Sequence, residues 1–333
     1  MGRAAMAQPK YIWVDGKLTS WTEANVHITA VGWSSMAAVF EGIKAYWNAD
    51  EQQLYAYQFA EHYRRFAASI RVTRMELNFS VDALVEASLE LLRANECHED
   101  TQIRPVAFHG NTDWFGSLLD KPTVVVVSTA PVPSRLGSGK TIKALVSSWT
   151  RLSDNMMPPR VKCISNYENS RLALIEAQQR GADLPILLNG QGKVTEGPSS
   201  CLFIVRNGVA ITPSLTSGIL ESITRDSLLR LCREALDIPV AEREIDRSEL
   251  YLADEIFFCG TGAEVTPVGE IDGYVVGDGG VGPITARIER LYHDVVRGRE
   301  PRYAQWRVPV YGSDAGLRAE DGRTPTGVGT RLR

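Results

Sequence analysis

The sequence predicts an α/β protein of the α+β kind, built in two successive domains. Three observations lead there. Over roughly the first 130 residues, strand-like stretches come first, then two helical stretches, then strands again. A stretch rich in Pro, Gly and Ser, Pro131–Gly139, interrupts the pattern. The 333 residues, 44% hydrophobic and 23% charged, are enough for two ordinary domains of a globular protein. The expected division is a flexible leader over 1–10, a small domain over 11–130 and a linker over 131–141. A large domain over 142–310 and a disordered tail over 311–333 complete it.

Each element has its own signal. Tyr11–Leu18 reads as a hairpin turning on Asp15-Gly16. Ala37–Trp47 and Gln53–Tyr57 read as strands, and Ala60–Ile70 as a helix. Ser80–Asn95 is a stronger helix: Ser80 is placed to cap it, and Leu84, Val85, Leu91 and Leu92 share one face. Strands follow at Ile103–His109 and Thr123–Ser128. Beyond the linker, strands are expected at Ile142–Ser147, Ile186–Asn189, Leu202–Val205 and Ile256–Cys259. A helix over Asn169–Arg180 stops before Gly181. Another over Arg225–Ala235 has Thr224 as its expected N-cap, with Ile223 and Leu228 as a hydrophobic staple. The last helix covers Pro283–Val296. After Tyr311 apolar residues almost vanish, which is why that tail is expected to be disordered.

Composition excludes several classes. A net charge of −4 gives no general attraction to nucleic acid or anionic membrane. No apolar run reaches the ~20 residues of a membrane span, and Met1–Lys10 lacks the apolar core of a secretory signal. The five cysteines stand singly with no CxxC pair, so neither a metal site nor a disulfide framework is expected, and the reducing cytoplasm is the expected compartment. Gly137-Ser138-Gly139-Lys140-Thr141 imitates the end of a phosphate-binding P-loop. The first glycine of that motif is Ser134 here, and a strand rather than a helix should follow, so a nucleotide site is not expected.

The sharpest chemical signal is Val161-Lys162-Cys163-Ile164-Ser165-Asn166-Tyr167, followed by a helix. Lys162 sits among apolar neighbours, and desolvation favours the neutral amine that reaction with an aldehyde requires. On this segment alone, a lysine reaching for the surface at a strand end is the simpler reading.

The wider pattern decides otherwise. AVFEGIKAY, HYRRF, QIRP, VKCISNYENSRLALIEAQQRGADLPILLNGQGKVTEGPSSCLFIV, ESITRD and YLADEIFFCGTGAEVTPV follow one another in order over about residues 11–308. Together they resemble the branched-chain aminotransferase branch of the fold-type IV pyridoxal-phosphate enzymes, whose fold is that of D-amino acid aminotransferase. The resemblance implies pyridoxal 5'-phosphate as cofactor and Lys162 as the lysine that bonds to it. Lys162 would then move a proton at the substrate α-carbon. Glu196 matches the carboxylate at the pyridine nitrogen, which keeps that nitrogen protonated; alone it would read as a solvated turn residue. Tyr167 matches the tyrosine at the phenolic oxygen. Arg65 matches the phosphate arginine, joined by Ile223 and Thr224 at a helix start and by Thr261 on a glycine-flanked turn.

Substrate contacts follow less directly. Phe40 and Lys44 are expected on one strand face, Phe40 lining the pocket and Lys44 standing where relatives carry an arginine. Arg104 matches an arginine on the carboxylate side, and Gly262 and Ala263 are expected beside the substrate. Arg135 corresponds to a mobile linker arginine of (R)-amine and D-amino acid transaminases. Ser35 and Gln102 replace two tyrosines of the family, and Cys201 replaces an asparagine. A wider or more polar pocket is the consequence. The implied reaction takes the amino group of branched aliphatic L-amino acids to 2-oxoglutarate by a ping-pong route, in a homodimer or larger homo-oligomer. The rivals are an (R)-amine or D-amino acid transaminase, an aminodeoxychorismate lyase-like enzyme, and a catalytically silent homologue.

Overall fold

A computed structural model describes residues 8–28, 31–110 and 122–312. Two sheets organise the chain, the first antiparallel throughout and the second mixed. The first is built from β1 (Tyr11–Val14), β2 (Lys17–Ser20), β3 (Val39–Phe40), β4 (Ile43–Asn48), β5 (Gln53–Tyr57), β6 (Thr101–His109) and β7 (Thr123–Pro131). A short helix, α1 (Val31–Met36), precedes β3. The helices α2 (Phe59–Val72) and α3 (Val81–Ala94) run between β5 and β6. The β1–β2 hairpin turns on Asp15 (φ 46°) and Gly16 (φ 99°), the left-handed pair that a two-residue hairpin turn needs. Ser80 caps α3 by accepting the Ala83 N–H at 3.1 Å, as its place in the sequence predicts.

The second sheet contains β8 (Ile142–Thr150), β9 (Leu184–Leu188), β10 (Cys201–Arg206), β11 (Val209–Thr212), β12 (Val240–Glu242), β13 (Glu255–Gly260), β14 (Glu264–Ile271) and β15 (Tyr274–Val275). Its helices are α4 (Asn166–Gln179), α5 (Ile223–Leu231), α6 (Arg247–Leu250) and α7 (Pro283–Val296). The last strand, β16 (Arg307–Pro309), returns to the first sheet and pairs with β5. Strand order is β16-β5-β4-β6-β7-β1-β2 with β3 against β6, and β12-β11-β10-β13-β14-β8-β9 with β15 against β14.

Several expectations need correction. The single strand over Ala37–Trp47 is two short strands separated at Glu41-Gly42, where Glu41 is drawn into a buried ion cluster. The N-cap of α5 is Ser222, whose Oγ accepts the Arg225 N–H at 3.2 Å, and not Thr224. Ile223 is therefore the first helical residue, and the staple with Leu228 does not exist. After Leu231 the helix loosens into a π turn over Cys232–Leu236. Strands β11, β12 and β14 and the capping box of α6 (Asp246 with Glu249) were not read from the sequence. Tyr311, expected at the edge of a disordered tail, is half-buried, and its OH donates to the Cys97 carbonyl at 2.8 Å. Residues 1–7 of the expected leader and 313–333 of the expected tail lie outside the described residues.

Three apolar cores hold the elements. One lies between the first sheet and α2–α3, around Phe59, Phe66, Leu84 and Leu92. Another lies on one face of the second sheet, around Ile204, Ile256 and Phe258. The third packs α5 and α7 on that sheet's other face and draws in Tyr46 and Tyr57 from the first sheet, so it joins the two halves. Ionic ties reinforce the join: Arg297, just after α7, binds Asp100 through two N–H groups at 2.7 Å each. The linker is pinned too, with the Arg135 N–H on Glu264 Oε2 at 2.7 Å and the Gly137 N–H on Glu289 Oε1 at 2.8 Å. Among the described residues, no helix is long and apolar enough to cross a membrane. No group of three or more His, Cys, Asp or Glu is placed there to hold a metal ion.

Candidate active site

A cavity of about 440 Å3 opens between the halves, within the range of small-molecule sites. One wall is the first sheet. In the β3–β4–β6 register, Phe40 stands opposite Val106 and Lys44 opposite Gln102, so Phe40, Gly42, Gln102, Arg104 and Val106 share a face. All five line the cavity. Lys44 lies on that face as expected but not in the wall. Its ammonium is buried against Glu264 Oε1 at 2.8 Å.

Lys162 enters from the turn before α4. That turn is stitched to the first sheet: the Phe40 N–H donates to the Lys162 carbonyl at 2.9 Å, and the Ile164 N–H to Ala38 at 2.8 Å. Lys162 Nζ donates to the Tyr167 OH at 2.6 Å and lies 4.8 Å from the Phe40 ring centroid. Phe40 and Tyr167 pack edge to face at 4.9 Å. The Phe40 ring and the Tyr167 phenol thus hold the amine in one place.

Arg65, on α2, places Nε on Glu41 Oε1 at 2.7 Å, Nη2 on Glu41 Oε2 at 2.8 Å and Nη1 on the Glu221 carbonyl at 2.6 Å. His62 Nδ1 also meets Glu41 Oε2 at 2.8 Å. Burial by itself would raise the Glu41 carboxyl, but the charge of Arg65 and the bonds from His62 and Arg65 outweigh it and hold it well below the usual carboxylate range. Three of Arg65's N–H donors are engaged in these contacts, and the guanidinium keeps others for an anion.

Glu196 is 5% exposed. Its Oε1 accepts from Arg151 Nε at 3.0 Å and lies 2.7 Å from Nη2 in an ion pair, and its Oε2 accepts the Leu220 N–H at 3.1 Å. The stretch Leu220–Ile223 therefore collects the whole arrangement. Leu220 holds Glu196, Glu221 holds Arg65, and Ser222 starts α5, whose first N–H groups have no acceptor within the helix. Cys201 and Cys259, opposite each other on β10 and β13, form part of the floor. Burial, and then the charge of Glu196, push the Cys201 thiol up to about 12, so it stays a neutral thiol.

The cavity brings together Lys162, Tyr167, Glu196, Arg65, Ile223, Thr261, Gly262, Phe40 and Arg104. It leaves out four expected residues. Thr224 is buried inside α5, Lys44 is paired with Glu264, Arg135 is exposed on the linker, and Ala263, the last residue of the β13–β14 turn, is not in the lining. Sequence reading missed Arg151, Asn166, Ser200 and Ser222. Only Ser222 carried a usable signal, since serine is a preferred N-cap and it stands one residue before the observed helix.

The site suits pyridoxal phosphate on its own terms. Buried polar atoms without a protein partner include Arg151 Nη1, Asn166 Oδ1 and Ser200 Oγ, and all three residues line the cavity. Such groups cost free energy unless something in the cavity bonds them. A guanidinium beside a helix start is suited to a phosphate, and the Lys162 amine to an aldehyde.

Comparison with known proteins gives the same direction. The amino-transferase class IV family model matches residues 38–271. The probable branched-chain-amino-acid aminotransferase of Aquifex aeolicus is 44% identical over 301 residues, 90% of this chain and 97% of that one. The branched-chain-amino-acid aminotransferase of Escherichia coli is 36% identical over 295 residues, 86% and 93% of the two chains. The crystal structure of the Thermobaculum terrenum branched-chain amino acid aminotransferase in its pyridoxal-phosphate form superposes with a TM-score of 0.89. It is 44% identical, with 92% of this chain and 99% of that one covered. Another solved branched-chain amino acid aminotransferase, complexed with N-(5'-phosphopyridoxyl)-L-glutamate, gives 0.85 at 37% identity, covering 91% and 99%.

Proposed function

Because the chain belongs to the class IV amino-transferases, as a pyridoxal-phosphate-dependent branched-chain amino acid aminotransferase of fold type IV, we propose that it carries amino groups from branched aliphatic L-amino acids to 2-oxoglutarate in two alternating half-reactions. One observation carries the reading: Arg104, exposed and without an ionic or hydrogen-bonding partner among the described residues, shares a cavity wall with Phe40 and Val106. A cation beside an apolar surface fits substrates that join a carboxylate to an aliphatic chain. The L-glutamate adduct held by one of the solved relatives supports the acceptor.

The cofactor, when bound, supplies an aldehyde that takes up the amino group and a ring that accepts electrons. The residues proposed to serve it are those already placed. Lys162 would hold it covalently, and its amine is the group placed to move the proton at the substrate α-carbon. Tyr167 holds the Lys162 amine and donates to the phenolic oxygen. Glu196 would accept from the ring nitrogen through Oε2, the oxygen that Arg151 does not contact. Arg65, the start of α5 at Ile223 and Thr261 receive the phosphate. Phe40 and Val106 exclude water from the substrate's aliphatic part, and Gln102 and Gly262 border it. Borohydride reduction followed by peptide mass spectrometry checks the first role: the cofactor should be fixed on the peptide containing Lys162, and finding it on Lys140, Lys143 or Lys193 overturns the assignment.

A donor panel tests the substrate. L-leucine, L-isoleucine or L-valine with 2-oxoglutarate should give the largest kcat/KM. A larger value for (R)-1-phenylethylamine would install the (R)-amine transaminase in its place. We also propose a homodimer at least. Val26, Ile28, Val31 and Met36 are exposed, and Ile164, exposed as well, reaches the cavity. A fully active monomer by light scattering would contradict this. The reducing cytoplasm is the proposed compartment, checked by cell fractionation.

A further inference from the structure

We infer that Arg151 is a positioning residue, which holds the carboxylate of Glu196 turned so that Oε2 is presented to the cofactor's ring nitrogen. The inference rests on the proposed role of Glu196. Arg151 follows the end of β8, and its N–H continues the pairing towards β9 by donating to the Leu188 carbonyl at 2.8 Å. Its side chain is 7% exposed, and so is that of Glu196.

The geometry of the pair is the argument. Arginine and carboxylate often meet fork to fork, one N–H on each oxygen, which occupies both oxygens. Here Nε and Nη2 both point at Oε1, at 3.0 and 2.7 Å. Oε2 is left with the Leu220 N–H at 3.1 Å and the Cys201 thiol at the long distance of 3.9 Å. An ionised carboxylate has about four acceptor positions, two on each oxygen. Arg151 bears on Oε1 alone, and Oε2, with one short contact from the Leu220 N–H, keeps capacity for another donor. Arg151 therefore decides which oxygen serves the ring.

Arg151 also supplies the counter-charge that a buried carboxylate needs. The groups facing Glu196 are Arg151 after β8, Cys201 on β10 and the Leu220 N–H, and among them Arg151 alone brings positive charge. The third nitrogen of Arg151, Nη1, is buried without a protein partner while the residue lines the cavity, so the guanidinium spans from Glu196 to the ligand space.

The test reads cofactor affinity. Full-length apoprotein is titrated with pyridoxal phosphate and with its 1-deaza analogue, which has C–H in place of the ring nitrogen. Wild type should prefer pyridoxal phosphate by about tenfold or more, the worth of one charge-assisted hydrogen bond. Arg151→Met should lose most of that preference while binding the analogue nearly as wild type does. Arg151→Lys should recover part of it. Glu196→Gln should lose it as well, and the double variant should bind no more weakly than Glu196→Gln alone, because Arg151 acts through Glu196. The double variant leaves no unpaired buried charge, so it reports even where Arg151→Met does not fold. Equal weakening of both cofactors by Arg151→Met, an unchanged preference, or additivity in the double variant overturns the inference. An unchanged preference in Glu196→Gln removes the role of Glu196 itself, and this inference with it.

Discussion

The cavity has two kinds of charged wall. Around Lys162, every charged group is buried or half-buried and already partnered: Arg65 with Glu41, Glu196 with Arg151, and Lys162 with the Tyr167 hydroxyl. Across from it on β6, Arg104 is exposed and meets no partner among the described residues. The contrast follows from residence time. A group meant for a cofactor that stays can be locked in place beforehand, since preorganised charge is not spent again at each turnover. A group meant for a substrate that leaves must keep open valences, and its exposure makes the open state cheap.

The partnered wall should be the more sensitive to substitution. Lys162→Ala removes both the covalent anchor and the proton carrier, so transamination should fall at least ~1,000-fold, a loss at the upper part of the range for acid–base groups. Single-turnover absorbance measurements check it, and an active Lys162→Ala protein would break the scheme. Glu196→Gln should keep much of the cofactor binding and lower kcat by ~100- to 1,000-fold, the range for a lost electrostatic partner in a site. Wild-type kcat in a folded Glu196→Gln protein would place the carboxylate outside the chemistry.

On the open wall, Arg104→Ala should lower kcat/KM for L-leucine by roughly 10- to 100-fold and leave any reaction with a simple amine nearly unchanged, since only the amino acid offers a carboxylate to pair. Equal losses for both substrates would make Arg104 structural. Arg65→Ala should weaken cofactor affinity by about tenfold, a modest effect because the start of α5 and Thr261 share the phosphate; an unchanged dissociation constant would make Arg65 a partner of Glu41 and nothing more.

The smallest effect is on acid stability. Glu41 is held below its ordinary value of 4.5 by Arg65 and His62 against the penalty of burial. A carboxyl lowered in the folded state stabilises it above the unfolded value, and that contribution is lost as pH falls below it. Melting temperature should therefore decline below about pH 4.5, and Glu41→Gln should decline less steeply over that window. Parallel acid limbs for the two proteins would show that Glu41 carries no such coupling.

How much of this was legible in the sequence depends on how local the signal is. The hairpin at Asp15-Gly16, the cap at Ser80 and α7 over Pro283–Val296 were read correctly, because turn chemistry, capping and apolar period are written in neighbouring residues. Strand β14 was missed: its eight residues are buried almost throughout, so they show no alternation of apolar and polar positions. Lys162, Tyr167, Glu196 and Arg65 were expected together because ordered motifs carried them, and the structure brings all four to one cavity. Lys44 was assigned to the pocket on the same basis, and nothing near it in sequence announces Glu264, 220 residues away.

By itself, then, the sequence determined the family and the cofactor, since these follow from motif order. Tertiary structure decided which charge meets which. Arg151 lies 45 positions from Glu196, and Arg65 lies 24 from Glu41 and 156 from Glu221. Such pairs are selected by where strands and helices converge and by the cost of burying a charge alone, and neither is a property of the residues nearby in the chain.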